Sequence, residues 1–305
     1  MKIDRVAILG AGAIGSVFGA RLARCAKIAL VCRAAHADAI AKHGLRVTGV
    51  EEIVARLPAS TDPRAVADAD LVIVTTKAFD TAQAIREVEP HLMPNAVLLL
   101  LQNGLGNERA ARQALTRPRT LLRGLSYAGV TFAEPGHVVW AAKGRMVLGD
   151  PSGESPEPVQ AVVDLMSEAG VDACVADDID LEVWEKTLGN IGINALGALT
   201  GMRNGELVEC EHTLALMKQL VHEAERVAQS AGYPFDALDR VVALARATAN
   251  NRNSMLQDVE AGRQTEIDFI NGAVVRMADA AGLDVPYNHC VTQLVNALEE
   301  RPRVR

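Results

Sequence analysis

The chain is poor in aromatic residues: Phe, Tyr and Trp together make up 3% of it. Its 49% hydrophobic content therefore comes mainly from Ala, Val, Leu and Ile, and an aliphatic interior suits buried parallel strands and packed helices. The five cysteines (Cys25, Cys32, Cys174, Cys210, Cys290) are odd in number and contain no CxxC pair. That excludes a disulfide framework and a zinc ribbon and fits reduced thiols, so a cytoplasmic location is expected. No stretch approaches the roughly 18 apolar residues of a membrane span, so no membrane association is expected. Asp4 and Arg5 interrupt the opening residues, so they lack the pattern of a cleaved leader. The seven histidines are scattered without HExxH spacing, and no metal site is expected. A basic surplus is missing too. The net charge is −7, which argues against a nucleic-acid partner.

What is present suggests two domains. The 305 residues are about twice the usual single-domain size. Residues 1–177 carry 19 basic and 19 acidic side chains, whereas residues 178–305 carry 12 and 19, so the whole −7 lies in the second part. The first part alternates short apolar runs (Val6–Leu9, Ile28–Val31, Leu71–Val74, Val97–Leu101) with helical stretches such as 14–26. Such runs are too short for helices and too apolar for half-exposed strands, and their rhythm predicts a doubly wound, Rossmann-type α/β domain. From Thr120 to Gly149 the turn signals predict antiparallel hairpins that close the sheet. Pro151–Pro158 resembles a linker, but the helix and strand patterns after it carry the sheet domain to about residue 177. Beyond it, helical patterns over 180–199, 210–231, 236–249, 254–280 and 286–299 predict an all-α domain, 178–305.

Gly10-Ala11-Gly12-Ala13-Ile14-Gly15 matches GxGxxG between a buried strand and a helix, the setting in which that motif holds a dinucleotide. Gly10 permits the turn, Gly12 the approach of backbone N–H groups to a pyrophosphate, and Gly15 close helix–strand packing; the helix N-terminus adds partial positive charge. NAD binders place an acid at the end of the second strand. Here that position reads Val31-Cys32-Arg33, and a guanidinium there pairs with a 2′-phosphate, favouring NADP(H); the alternative is a solvated surface arginine. Lys77 and Asn103 follow two further strand ends, so Gly12, Arg33, Lys77 and Asn103 are expected on one rim.

In the helical part Lys186, Asn190 and Asn194 stand at i, i+4 and i+8 and share one helix face. Two asparagines inside a helix suggest ligand contacts or, alternatively, a polar seam between helices. A desolvated Lys186 suits proton transfer. Asn251, Ser254 and Glu266 lie near apolar neighbours further on. An N-cap explains Ser254, and a helix-start acid explains Glu266, equally well by spacing.

Taken together these residues resemble the ketopantoate reductase (2-dehydropantoate 2-reductase) family over nearly the whole chain. The landmarks are Gly10–Gly15, Arg33, Thr76-Lys77-Ala78, Gln102–Gly106, Glu182–Lys186 with Asn190 and Asn194, Asn204–Leu207, Ser254–Asp258 and Thr265–Gly272. The resemblance implies NADPH-dependent reduction of a small 2-keto acid, ketopantoate, in pantothenate biosynthesis. It makes Lys186 the general acid and Glu266 the substrate-binding acid, and it lines the substrate site with Asn103, Asn190, Asn194 and Ser254, with Asn251 beside them. It assigns the glycine loop, Arg33 and Lys77 to the cofactor. The family pattern Asn-Pro-Leu-Thr is replaced by Asn194-Ala195-Leu196-Gly197, which keeps the reaction type and leaves another branched 2-keto acid open as substrate. Two other readings stand beside it: a 3-hydroxyacid dehydrogenase of the hydroxyisobutyrate type, and a non-catalytic NADP(H) sensor. A homodimer through the helical part is compatible with such a chain.

Overall fold

The structure, a computed structural model, describes residues 1–300. Among these the chain forms two compact units. The first comprises Met1–Gln102 and Asn107–Glu182; the second comprises Asn103–Gly106 and the residues from Val183 onward.

The first unit runs β1 (Arg5–Leu9), α1 (Ala13–Leu22), β2 (Lys27–Val31), α2 (Ala34–His43), β3 (Leu45–Gly49), β4 (Ile53–Ala55) and β5 (Ala59–Ser60). It continues with β6 (Leu71–Val74), α3 (Thr81–Val88), β7 (Val97–Leu100), α4 (Asn107–Ala114), β8 (Leu121–Ser126), β9 (Gly129–Glu134), β10 (His137–Ala142), β11 (Met146–Gly149), α5 (Pro156–Glu168) and β12 (Ala173–Val175). Eight strands form one sheet in the order β12-β11-β8-β7-β6-β1-β2-β5. All neighbours pair in parallel except β11 with β8. This is the expected Rossmann-type α/β architecture.

The unbroken apolar runs have a direct cause. Ile8, Ile73 and Leu99 belong to a core that includes Val17, Phe18 and Leu22 of α1 and Val162 and Met166 of α5. Their alternating neighbours Leu9, Val72, Val74, Leu98 and Leu100 join Ile85 and Val88 of α3 and Ala111 of α4 in a separate core. Both faces are covered, so apart from the exposed Arg5 that opens β1 these strands leave no position for a polar residue.

Three local expectations are corrected. The hairpins do not simply close the sheet. β8 and β11 lie inside it, but β9 and β10 leave to form a second sheet, β4-β3-β10-β9, in which β10 runs parallel to β3. The reason is visible in β9, which is half-buried to exposed along its length and so is unfit for a doubly covered sheet. Pro151–Pro158 is not a linker between the units; Pro156 opens α5, where a missing N–H costs nothing. α1 ends at Leu22 and not at residue 26.

The second unit is helical: α6 (Ile179–Thr200, begun in the first unit), α7 (Asn204–Glu209), α8 (Glu211–Ser230), α9 (Leu238–Ala247), α10 (Ser254–Glu260), α11 (Asn271–Ala281) and α12 (Pro286–Glu300). The long helical pattern expected over 254–280 is thus two helices with a loop and a short 3-10 turn, Ile267–Phe269, between them. From Leu188 to Ala198, α6 is buried at every residue but the half-buried Asn190, as befits a helix surrounded by others. Gly189 and Gly192 make room for them: a Cβ on Gly192 would lie 2.8 Å from Val241 Cγ1 and 3.1 Å from Val221 Cγ2. No described helix is long and apolar enough to cross a membrane.

One buried titratable group in the first unit has a readable pH consequence. His36 of α2 is 3% exposed, and burial holds its imidazole below the ordinary 6.5. Below 6.5 the unfolded chain therefore binds the proton more readily than the folded one, so stability falls with falling pH. Acidifying from pH 7 toward pH 5.5 is expected to lower the unfolding temperature, and a His36→Gln variant to show a flatter dependence. An unchanged slope in the variant contradicts this.

Candidate active site

The first unit presents its candidate residues along one rim. The paired rows of the sheet end together, Leu9 opposite Val31 and Val74, and Val74 opposite Leu100. Hydrogen bonds carry the alignment one residue further. The amides of Gly10 and Ala11 donate to Val31 O (2.9 and 3.0 Å), Thr75 N to Leu9 O (2.8 Å), and Leu101 N to Val74 O (3.0 Å). The glycine loop, Cys32-Arg33 and Thr75-Thr76-Lys77 therefore leave the sheet side by side.

Gly10 has φ +85°, and a Cβ there would lie 2.6 Å from Thr76 N, so only glycine fits. A Cβ on Gly15 would meet Thr75 Oγ1 at 2.4 Å and Ile8 Cγ2 at 2.8 Å, which explains the close seat of α1 on β1 and β6. Gly12 differs: its Cβ direction is open, with only Gly10 O at 3.8 Å. It caps α1 without a side chain, so no side-chain cap competes for the first-turn amides. Ala11 is buried, and Gly12, Ala13 and Ile14 are half-buried. Arg33 is exposed at the N-cap of α2, and half-buried Lys77 precedes a 3-10 turn, Ala78–Asp80. An open glycine, an uncapped helix start and two cations on one rim fit a dinucleotide phosphate chain. Cys32, between them, is half-buried, and burial pushes its thiol up to about 11.

The second unit gathers another set. Lys186, Asn190 and Asn194 all lie on α6 at the expected helical spacing; Lys186 and Asn190 are half-buried and Asn194 is 4% exposed. The polar seam of the alternative reading exists, but other residues make it. Asn253 Nδ2 donates to Ile193 O (3.5 Å) and Asn271 Nδ2 to Ile191 O (3.4 Å). Neither Asn190 nor Asn194 takes part in a side-chain hydrogen bond among the described residues.

Asn103 belongs with the helical unit although the flanking chain does not. Leu105 N donates to Phe269 O (2.8 Å), in the 3-10 turn that Glu266 caps. Gly104 has φ +82°, and its Cβ would fall 2.1 Å from that same carbonyl. The segment carrying Asn103 is thus fastened to the segment carrying Glu266. Glu266 itself is 7% exposed, at the start of a short 3-10 turn rather than of a long helix.

Asn251 and Ser254 are both exposed, and Ser254 is the first residue of α10, not its N-cap. The cap is Asn253, missed in the sequence, whose Oδ1 accepts from Leu256 N at 2.9 Å. An Asn before an apolar run was the available signal, but three asparagines, Asn250, Asn251 and Asn253, within four residues made it ambiguous. A Cβ on Gly197 would lie 2.1 Å from Asn253 Nδ2, so the glycine in place of the family's threonine is what admits this carboxamide. Asn271, also missed, donates to Asn288 Oδ1 (3.0 Å), and Asn288 Nδ2 donates to Glu223 (2.8 Å), a buried relay with no periodic signature.

Comparison with known proteins settles the family. Residues 6–153 match the family model described as ketopantoate reductase PanE/ApbA, and residues 178–299 match its C-terminal model. The chain belongs to the ketopantoate reductase family. It is 35% identical to the 2-dehydropantoate 2-reductase of Archaeoglobus fulgidus over 98% of this chain and 99% of that one. With the corresponding protein of Pyrococcus horikoshii it shares 34% over 97% of both. Among solved structures, a ketopantoate reductase from Ralstonia eutropha superposes with a TM-score of 0.91 at 33% identity, covering 97% of this chain and 98% of that one. A D-mandelate dehydrogenase in ternary complex with NADH and anilino(oxo)acetate superposes with a TM-score of 0.90 at 27% identity, with the same coverage. As a ketopantoate reductase family member the chain is an oxidoreductase acting on a CH–OH group.

Gly104→Ala tests the geometry of the helical unit. The side chain must enter a positive-φ position and displace Phe269 O, so a loss of more than about 1 kcal/mol is expected. Urea unfolding measures it, and an unchanged midpoint contradicts the Leu105–Phe269 anchor.

Proposed function

We propose that this chain reduces 2-dehydropantoate to pantoate with NADPH, in the cytoplasm, as a step of pantothenate biosynthesis. The observation that carries the reading is the polar set of the helical unit: an ammonium and two carboxamides on one face of α6, with Asn103 fastened to the Glu266 segment, in a chain whose relatives are 2-dehydropantoate 2-reductases.

The rim of the first unit holds the cofactor. The amides around Gly12 receive the pyrophosphate, Arg33 pairs with the 2′-phosphate, and Lys77 adds a second cation. When bound, the reduced nicotinamide supplies the hydride for the C2 carbonyl carbon. The residues of the helical unit manage the charge that results. Lys186 donates to the carbonyl oxygen, stabilises the negative charge gathering there and passes it a proton. Glu266 accepts a hydrogen bond from the substrate hydroxyl. Asn103, Asn190, Asn194 and Ser254 orient the acid, and Asn251 lies nearby in sequence.

A second reading keeps the chemistry and changes the acid. Gly197 and Asn253 remodel the turn of α6 that bears Asn194, and one structural neighbour is a D-mandelate dehydrogenase, so another 2-keto acid would be the substrate.

Lys186→Ala is expected to lower kcat for NADPH oxidation with ketopantoate by at least ~10²-fold, the usual scale for a general acid. Near-normal turnover in the variant removes Lys186 from that role.

A further inference from the structure

His36 lies outside the glycine loop and the strand ends, yet it touches the elements that carry them. It sits in the first turn of α2, three residues after Arg33, and is 3% exposed. Its two ring nitrogens are both engaged. The amide of Gly136, in the turn between β9 and β10, donates to Nδ1 at 2.8 Å. An amide can only donate, so Nδ1 carries no proton and the proton is on Nε2. Nε2 stands 3.0 Å from Ser16 Oγ and donates to it.

Ser16 immediately follows Gly15, is fully buried, and its amide donates to Gly12 O at 3.0 Å, closing the first turn of α1. On the other side, the amides of His36 and Ala37 both donate to Arg33 O at 3.0 Å. The ring therefore spans from the turn behind the glycine loop to the turn that fixes the Arg33 backbone. Phe132 packs on it, ring centroids 5.0 Å apart, and a Cβ on Gly136 would come within 3.0 Å of Ala39 Cβ, so the hairpin turn backs α2 closely.

We infer that His36 is a positioning residue for the cofactor: through Ser16 and the first turn of α2 it sets the separation between the pyrophosphate loop and the Arg33 guanidinium. The inference rests on the reading of Arg33 as the 2′-phosphate partner. Its physical content is a distance. A dinucleotide 2′-phosphate is covalently tied to the pyrophosphate, so an arginine placed from α2 must keep register with a loop placed from α1. The strands before these helices, β1 and β2, pair in the sheet, but their paired rows end at Val31, before Arg33. The imidazole supplies the tie beyond that point, with an acceptor on one side and a donor on the other.

The test compares His36→Phe, which keeps a ring and loses both hydrogen bonds, with Ser16→Ala, which loses one, and with Arg33→Asp. Steady-state kcat and KM are read for NADPH and for NADH, with ligand-free unfolding temperatures alongside. The inference expects KM for NADPH to rise about tenfold in His36→Phe and less in Ser16→Ala. KM for NADH and kcat should stay within about twofold, so the NADPH:NADH preference falls without touching Arg33. If His36→Phe does not fold, Ser16→Ala carries the same expectation at smaller size. Equal rises for both cofactors, or a lower unfolding temperature with unchanged preference, overturn the inference and leave His36 structural. Arg33→Asp separates the two levels. If it abolishes the preference while the His36 and Ser16 variants do not, only the positioning role fails. If it leaves the preference intact, the 2′-phosphate reading fails and the positioning role with it.

Discussion

The parallel register of four buried strands is the constraint on which the first unit depends. After the exposed Arg5 and Lys27 that open β1 and β2, the residues of β1, β2, β6 and β7 are apolar because the sheet is covered on both faces, and their paired rows end on Leu9, Val31, Val74 and Leu100. Burial therefore decides where the chain leaves the sheet. Emptying one of these core positions to alanine costs about 2–5 kcal/mol, whereas a helix cap contributes about 1 kcal/mol. The core, and not the chemistry of any loop, sets the rim, and the glycine loop, Arg33 and Lys77 inherit their neighbourhood from it. Gly10 and Gly15 then act as tolerances: each leaves space already taken by Thr76 or Thr75.

The helical unit solves a different problem. A helix buried nearly all round must still present polar groups to a small acid. α6 does so by leaving its interhelix hydrogen bonds to Asn253 and Asn271, which donate to its carbonyls from neighbouring segments. Its own asparagines are spared. The Leu105–Phe269 backbone hydrogen bond and the close fit of Gly104 fasten the Asn103 loop to the same unit. The charge division follows these roles. Under the proposed function the neutral first part would receive a polyanionic cofactor, for which surplus negative charge is costly, and the acidic second part a substrate of low charge.

Much of this was legible in the sequence because it is written in periodicity. Val6–Leu9 and Leu71–Val74 read as buried strands, and the spacing of Lys186, Asn190 and Asn194 read as one helix face, because burial on two faces and a 3.6-residue repeat each leave a direct imprint. The second sheet was not legible. β9 and β10 carry ordinary hairpin signals, and pairing β10 in parallel with β3, some 90 residues earlier in the chain, leaves no local mark. The break at residues 261–270 was missed because Ile267, Phe269 and Ile270 continue a helical-looking pattern while Gly262 turns the chain with a positive φ. His36 meets Ser16 Oγ and the Gly136 amide, and Asn253 fills the space over Gly197, all residues distant in sequence, so no local motif announced these contacts.

The proposed function gives the first unit's rim to NADPH and the ammonium–carboxamide face of α6 to one class of substrate, a branched 2-keto acid. The most direct test is kcat/KM for ketopantoate beside an aromatic 2-keto acid such as benzoylformate, and for a 3-hydroxy acid in the oxidative direction, each with both nicotinamide cofactors. Ketopantoate with NADPH is expected to give the highest value. Activity confined to the 3-hydroxy acid, or cofactor binding without turnover of any 2-keto acid, would contradict it.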